Sequence, residues 1–410
     1  MPPGSRPFLC MLITPEYWRL IDGSPEFIPS LLQKMFPELL HEYNVNLLTA
    51  VVDSIPFPSS FPGLDESGEA AVQADSVREG FSIAVLDEEF SAPSLWSGSD
   101  SRSMSADDPS VISFKFVGIE QGELILHLPL ANTVFVNGKV GTMHVQRWMK
   151  DGSKDEGAPF VLYDSVNSNN QTLNMLSSHT TARPNSTADI RSHLRQLTHP
   201  RTVRAVTGNI LRQISGDDGV VQPASREIEV LINQALREGH LEEGPVDVWA
   251  LVEPKDQLDR ASLAKSPVDL MSSFLQGGRI YKVLSGGGGW GQKQGLLALD
   301  PRSRFEKEDI LSEDDEEASG MELFANLVNP GETITFLISD KTSKRYEASS
   351  ANFNHATTSF NFGSADPGYE DEPCSCESNP SGRVAPADRF TYIPNHFGMS
   401  SARGIYLQVR

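Results

Sequence analysis

The stretch 281–301 reads YKVLSGGGGWGQKQGLLALDP, and the way its glycines are read decides the fold. Gly286, Gly288 and Gly291 satisfy G-x-G-x-x-G and follow an apolar strand, as a dinucleotide site requires. Such a site also needs a full helix whose N-terminus faces the pyrophosphate. Gly295 and Pro301 interrupt the residues that follow, and GLLALDP reads as strand or turn. The P-loop pattern fails too: Gln292 stands where its lysine belongs, and Lys293 is followed by Gln294, not Ser or Thr. Two readings remain. Gly286, Gly287, Gly288 and Gly289 offer uncovered N–H groups that can form an anion-binding nest, with Trp290 stacking on a planar ligand, Gly291 completing the turn and Lys293 pairing with a negative charge. Alternatively, glycine supplies the positive φ angles of a tight hairpin and Trp290 folds back on a core.

Working outward, VDVWALV (246–252) and RIYKVLS (279–285) read as strands, with SPVDLMSSFLQGG between them as a helix stopped at Gly277-Gly278. Strand, helix, strand in that order predicts a right-handed crossover and a parallel pair. Three successive helices are expected over 187–197, 200–215 and 223–238, then strands at ETITFLIS, TSFNFG and GIYLQVR. Nearer the start, SPEFIPSLLQKMFPELLHEY predicts a helix with Ser24 as N-cap, followed by a buried strand at VNLLTAVVDSI and another at FSIAVLD (81–87). VISFKFVGIEQGELILHL reads as a hairpin, and NTVFVNGKVGTM continues the β character with a turn at Asn137-Gly138.

The class that fits is α/β or α+β, a layered mixed sheet with helices, arranged as two halves with long disordered insertions. The first half spans 1–150, with insertions at 55–80 and 91–110 too rich in Pro, Ser, Gly and Asp to order themselves. Residues 151–186 form a polar linker. The second half, 187–410, carries the glycine loop and an acidic loop at 305–322 with nine acids and one lysine, where Ser312 suits an acid-directed kinase.

The formal net charge is −21 over 410 residues, which disfavours nucleic acid and anionic lipid as partners of the whole surface. One basic patch runs against this trend. Residues 183–214 hold six arginines and one acid, Asp189; Arg191 and Arg195, then Arg201 and Arg204, fall close together at helical spacing. They suit a phosphate, RNA or an acidic partner, or they pair internally with the surplus carboxylates. The segment has no aromatic residue for base stacking.

Cys10, Cys374 and Cys376 are too few for a disulfide framework and suit a reducing compartment. Cys374-Ser375-Cys376 lacks further ligands at zinc spacing, so no metal set emerges. The histidines form no H-E-x-x-H and no serine sits in G-x-S-x-G, which leaves the catalytic residues and any cofactor unassigned. His127 and His144 are expected to pack within strands, and Asn132, Thr133, Asn137 and Gly138 to form a turn or a pocket rim. The apolar run Phe8–Ile13 is short for a signal sequence, and no run reaches the roughly 20 apolar residues of a membrane span. An intracellular chain is expected, cytoplasmic first and mitochondrial second.

The succession of helix, VNLLTAVVDSI and GFSIAVLD resembles the opening of FIST-type sensory domains over about the first 90 residues. That resemblance implies small-ligand binding. LPLANTVFVNGKVGTM and VLSGGGGWGQKQGLLALDP are similar to uncharacterised proteins of filamentous fungi, which imply no activity. Neither resemblance carries a functional residue across. The leading expectation is a non-enzymatic protein that binds a small anionic ligand or a protein partner at the glycine loop. An enzyme acting on an anionic or nucleotide-like substrate there, and an RNA-associated factor using the arginines, are the alternatives.

Overall fold

The computed structural model describes residues 6–37, 44–56, 79–96, 110–119, 122–151, 159–175, 187–191, 194–216, 218–238, 246–255, 273, 276–286, 295–300, 327–339, 359–364 and 396–409. The fold is sheet-rich, with mixed sheets and few helices. The run Phe8–Ile13 forms most of β1 (Pro7–Ile13), buried at every position. β1 pairs in parallel with β2 (Asn44–Val51), and α1 (Pro15–Asp22) and α2 (Phe27–Met35) make the crossover between them. The expected single helix from Ser24 is thus shorter and begins after Glu26, while α1 precedes it. Ile28 and Leu32 of α2 bury against Leu9, Met11 and Leu47, the apolar face of the sheet they cross. β3 (Phe81–Asp87), β6 (Met143–Lys150) and β7 (Phe160–Asn167) complete a five-stranded sheet in the order β3-β1-β2-β6-β7.

The expected hairpin at 111–129 is present as antiparallel β4 (Val111–Ile119) and β5 (Gly122–Pro129). Asn137-Gly138 turns the chain as expected, but at the end of one helical turn, α4 (Val134–Asn137), with Gly138 at φ +77°. The stretch 151–186, expected as a linker, carries β7 and also β8 (Asn170–Asn174), which pairs in parallel with β4. Of the 91–110 insertion, residues 91–96 and 110 are described, and Ala92 and Leu95 there join the core. Residues 57–78, 97–109 and the acidic loop 305–322 lie outside the described residues, as do Cys374 and Cys376.

The segment from 187 to 215 corrects the helical expectation. It forms β9 (Thr187–Arg191), β10 (Leu194–Gln196), β11 (Arg201–Thr207) and β12 (Ile210–Ser215). The reason is visible in RTVRAVT: Thr202, Val203, Val206 and Thr207 are β-branched and stiff at χ1, a feature that favours the pleated sheet over the helix. A second correction concerns β14 (Val248–Glu253) and β15 (Arg279–Gly286). They are antiparallel, with Trp249 opposite Lys282 and Val252 opposite Arg279, and not the parallel pair of a crossover. Of the helix expected between them, residues 273 and 276–278 are described: Ser273 is helical, and the N–H groups of Gln276 and Gly278 donate to its carbonyl.

These strands close on themselves. β11 pairs β12, which pairs β16 (Leu297–Leu299), then β15, β14 and β17 (Thr333–Ser339), and β17 returns to β11 through Arg201 opposite Ile334. All six contacts are antiparallel, so the result is a closed six-stranded barrel. Closure removes the sheet edges that would otherwise invite pairing with other chains. Val203, Leu211, Ala250, Tyr281, Leu297 and Phe336 fill the interior. α5 (Ala224–Arg237), which follows the short β13 (Val221–Pro223), matches the expected helix and drops Ala224 and Ile228 into the same interior.

The outer wall of the barrel is buried as well. Trp249, Leu251, Ile280 and Leu337 share one core with Phe8 and Leu48 of the five-stranded sheet. β20 (Gly404–Val409) lies between β15 and β5, so the barrel wall runs on through β20, β5, β4 and β8. A small parallel sheet of β9, β18 (Ser359–Ser364) and β19 (His396–Ser401) packs against it. Its Phe360, Phe362 and Phe397 meet Phe114 and Phe116, with the Phe114–Phe362 ring centroids 4.6 Å apart. Each such aromatic pair is worth about 0.5–1.5 kcal/mol beyond its buried area.

Candidate functional site

The glycine stretch joins β15 to β16, two neighbouring strands of the barrel. Gly286 is the last residue of β15, opposite Leu297; Gly287, Gly288, Gly289, Trp290, Gly291 and Lys293 lie outside the described residues. The chain returns at Gly295, held at φ +88°. A Cβ placed there would lie 2.6 Å from the Cβ of Pro223, so no side chain larger than hydrogen fits. Pro223 is the N-cap of α5, and the Ser225 N–H donates to the Gly295 carbonyl at 3.3 Å. Gly295, the far foot of the glycine stretch, therefore rests on the first turn of a fourteen-residue helix.

That same first turn anchors an arginine of the basic patch. The Nε of Arg201 donates to Oε2 of Glu227 at 2.8 Å and its Nη2 to Oε1 at 2.6 Å, a two-pronged pair with side chains 15% and 16% exposed. Gln222 adds a bond from Nε2 to the same carboxylate at 3.3 Å. A planar guanidinium matches a carboxylate in this fork, which fixes the start of β11 to the start of α5. Arg204 is exposed at a bulge, the extra residue between Val203 and Ala205, and its Nε donates to Ser215 Oγ at 2.7 Å. Arg195 is exposed on β10, which pairs with the last residues of β17. For Arg191 the described backbone places it at the end of β9 in the small parallel sheet, opposite Gly363.

The antiparallel registers fix which end of the barrel each group occupies. β15 ends, β16 begins, β12 ends and β11 begins at one end, here the loop end; β17 runs toward it and meets β10 there. The structure thus brings the glycine loop's two feet together with Arg195, Arg201 and Arg204, and leaves Arg191 on another sheet. It also corrects the helical face proposed for these arginines, because they stand on strands. A second bulge lies on this rim: Leu284, the extra residue before Ser285, is 46% exposed. Val220, Val221 and Val230 from β13 and α5 add apolar exposure nearby.

The opposite end is closed by turns. Asn209 Nδ2 donates to the Leu299 carbonyl at 2.9 Å, the Leu327 N–H donates to the Gly208 carbonyl at 3.1 Å, and Leu327 and Val328 enter the interior. Arg279 Nη2 donates to Glu332 Oε1 at 2.6 Å while the Asn329 N–H donates to Oε2 at 2.7 Å. Burial pushes the Tyr281 phenol beside them above its ordinary range, and the Arg279 charge pulls the other way.

Sequence reasoning does not single out Glu227, Pro223 or Gly295 as parts of one unit. The only local signal is an acid in the first turn of an amphipathic helix. The expected packing roles of the two histidines do emerge: His127 Nδ1 lies 2.7 Å from Ser113 Oγ with its ring stacked on Tyr406, and His144 meets Trp18 edge-on. Thr133, Asn137 and Asn132 tie the α4 turn together through Thr142, Lys139 and Val134. Among the described residues no three His, Cys, Asp or Glu groups come together as a metal set, and no helix is long and apolar enough to cross a membrane. Comparison with the known protein families, the curated proteins and the solved structures gives no match for this chain.

Proposed function

We propose that the protein binds a small anionic ligand at the loop end of its barrel, without catalysing its conversion. One observation carries this reading: Gly295 and Arg201, read separately from the sequence as a glycine loop and a basic patch, both rest on the first turn of α5. A glycine loop seated on a helix start brings uncovered N–H groups, a positive dipole end and guanidinium charge to one rim. The residues offered to the ligand are Gly286 to Gly289, Trp290, Gly291 and Lys293, with Arg204 and Arg195 beside them. Arg201 is spent on Glu227 and serves as the anchor of the rim.

A thermal-shift series with inorganic phosphate, pyrophosphate, nucleotides and sugar phosphates tests this reading on the wild type and on Trp290→Ala/Lys293→Ala. At 100 times its dissociation constant a ligand stabilises by about 2.7 kcal/mol, which the melting curve resolves. A shift in the wild type that the double variant loses supports the site. No shift with any anion, in a protein that melts normally, removes it. In that case the second reading gains: Val220, Val221, Val230 and Leu284 are exposed apolar side chains, which suit a protein partner.

A further inference from the structure

Away from the barrel, the face of the five-stranded sheet beneath α1 holds a polar group of three. Thr49 of β2 stands between Met11 of β1 and His144 of β6, its direct register partner on either side. Trp18 of α1 lies above them, its ring 5.1 Å from the His144 imidazole and at 86° to it. Ile13, Val51 and Ala131 pack with Trp18; Thr49 and Trp18 are 1% and 3% exposed, and His144 is partly buried. Trp18 Nε1, Thr49 Oγ1 and His144 Nε2 are all buried, and none has a hydrogen-bond partner in the protein. Buried polar atoms without partners carry a full desolvation cost, and three in one place amount to a feature that needs a cause.

We infer that Trp18, Thr49 and His144 form a built site for one small, uncharged, hydrogen-bonding guest, a single water molecule. The chemistry of the three atoms is complementary to it. The indole N–H only donates, the hydroxyl can do either, and a neutral imidazole nitrogen can accept, so one water oxygen takes the indole proton and its two hydrogens serve the others. The imidazole stays neutral there, since burial pushes its pKa down to about 4; Lys139 adds to that and Asp22 opposes it. An ion gains nothing in this place: an anion finds no positive imidazole, and a cation faces an N–H donor. The apolar walls and the near-zero exposure of Thr49 and Trp18 limit the guest to water size.

The test is water-to-protein cross-relaxation on the full chain, read at the Trp18 indole proton and assigned by comparison with Trp18→Phe. A long-lived water signal at that proton, lost in Thr49→Val, is the expected result. Melting temperature gives a second readout of opposite sign for the two cases. If water bridges the three groups, Thr49→Val breaks the bridge and lowers the melting temperature by about 2–4 °C. If the hydroxyl is merely unsatisfied, replacing it with a methyl leaves stability equal or higher. No water signal in the wild type, or a Thr49→Val protein that melts at or above wild type, overturns the inference.

Discussion

The two ends of the barrel carry the same chemical device and use it differently. Each has an arginine on a strand paired with a glutamate from the element that covers that end: Arg201 with Glu227 of α5, and Arg279 with Glu332 of the turn before β17. At the turn end the pair belongs to a closed set of backbone bonds, with Asn329, Gly208 and Leu299 supplying short links and Leu327 and Val328 plugging the interior. At the loop end the pair holds a helix whose first turn also rests on a glycine with no room for a side chain. One end is shut by several backbone and side-chain bonds at once. The other rests on one ion pair and one close glycine contact, and that is where the proposed ligand would add stability of its own.

Breaking the shut end should have the largest effect. Glu332→Ala leaves Arg279 without its carboxylate and the Asn329 N–H without an acceptor, and should cost about 3–5 kcal/mol in denaturant unfolding. A loss under about 1 kcal/mol would erase the distinction between the ends. Gly295→Ala strikes the loop end through backbone strain and the contact with Pro223, at about 1–3 kcal/mol. Its anion-induced thermal shift should shrink as well, whereas Glu332→Ala should keep that shift. Glu227→Gln keeps the shape of its pair and removes one charge. Stability should fall by about 1 kcal/mol, while the freed Arg201 charge raises the affinity for pyrophosphate several-fold in titration calorimetry.

The smallest effect lies outside both ends. Burial holds the folded-state pKa of His144 at about 4, below its ordinary 6.5, so the unfolded chain binds the extra proton first. Stability is fully present well above pH 6.5 and declines as pH falls toward 4, by about 1 kcal/mol at pH 6. In the variant His144→Gln this part of the pH dependence should vanish, with both barrel ends unaffected.

Much of the strand content was legible, along with α5 and the α2 part of the first expected helix. The alternation in VISFKFVGI and GELILHLP set the β4–β5 hairpin, and the apolar spacing at Ile228, Ile232 and Ala235 set α5. Arg201 to Ser215 reads as helix only through Arg201 and Arg204, three apart by coincidence, and its β-branched content is the better guide. The barrel itself could not be seen. Its closure rests on Arg201 meeting Ile334, a pairing that leaves no mark on either local segment. The glycine loop stood out at once, but its seat did not, since Gly295 and Pro223 are neighbours only after β12, β15 and β16 have assembled.

The position of β20 has a kinetic consequence. It bridges β15 of the barrel and β5 of the early hairpin, and Ile405 sits in the largest core. Until residues 404–409 arrive, β5 and β15 each present an open edge beside apolar side chains. Closing such long loops before any contact repays them makes folding slow, and a refolding chain should be most prone to aggregate during that wait.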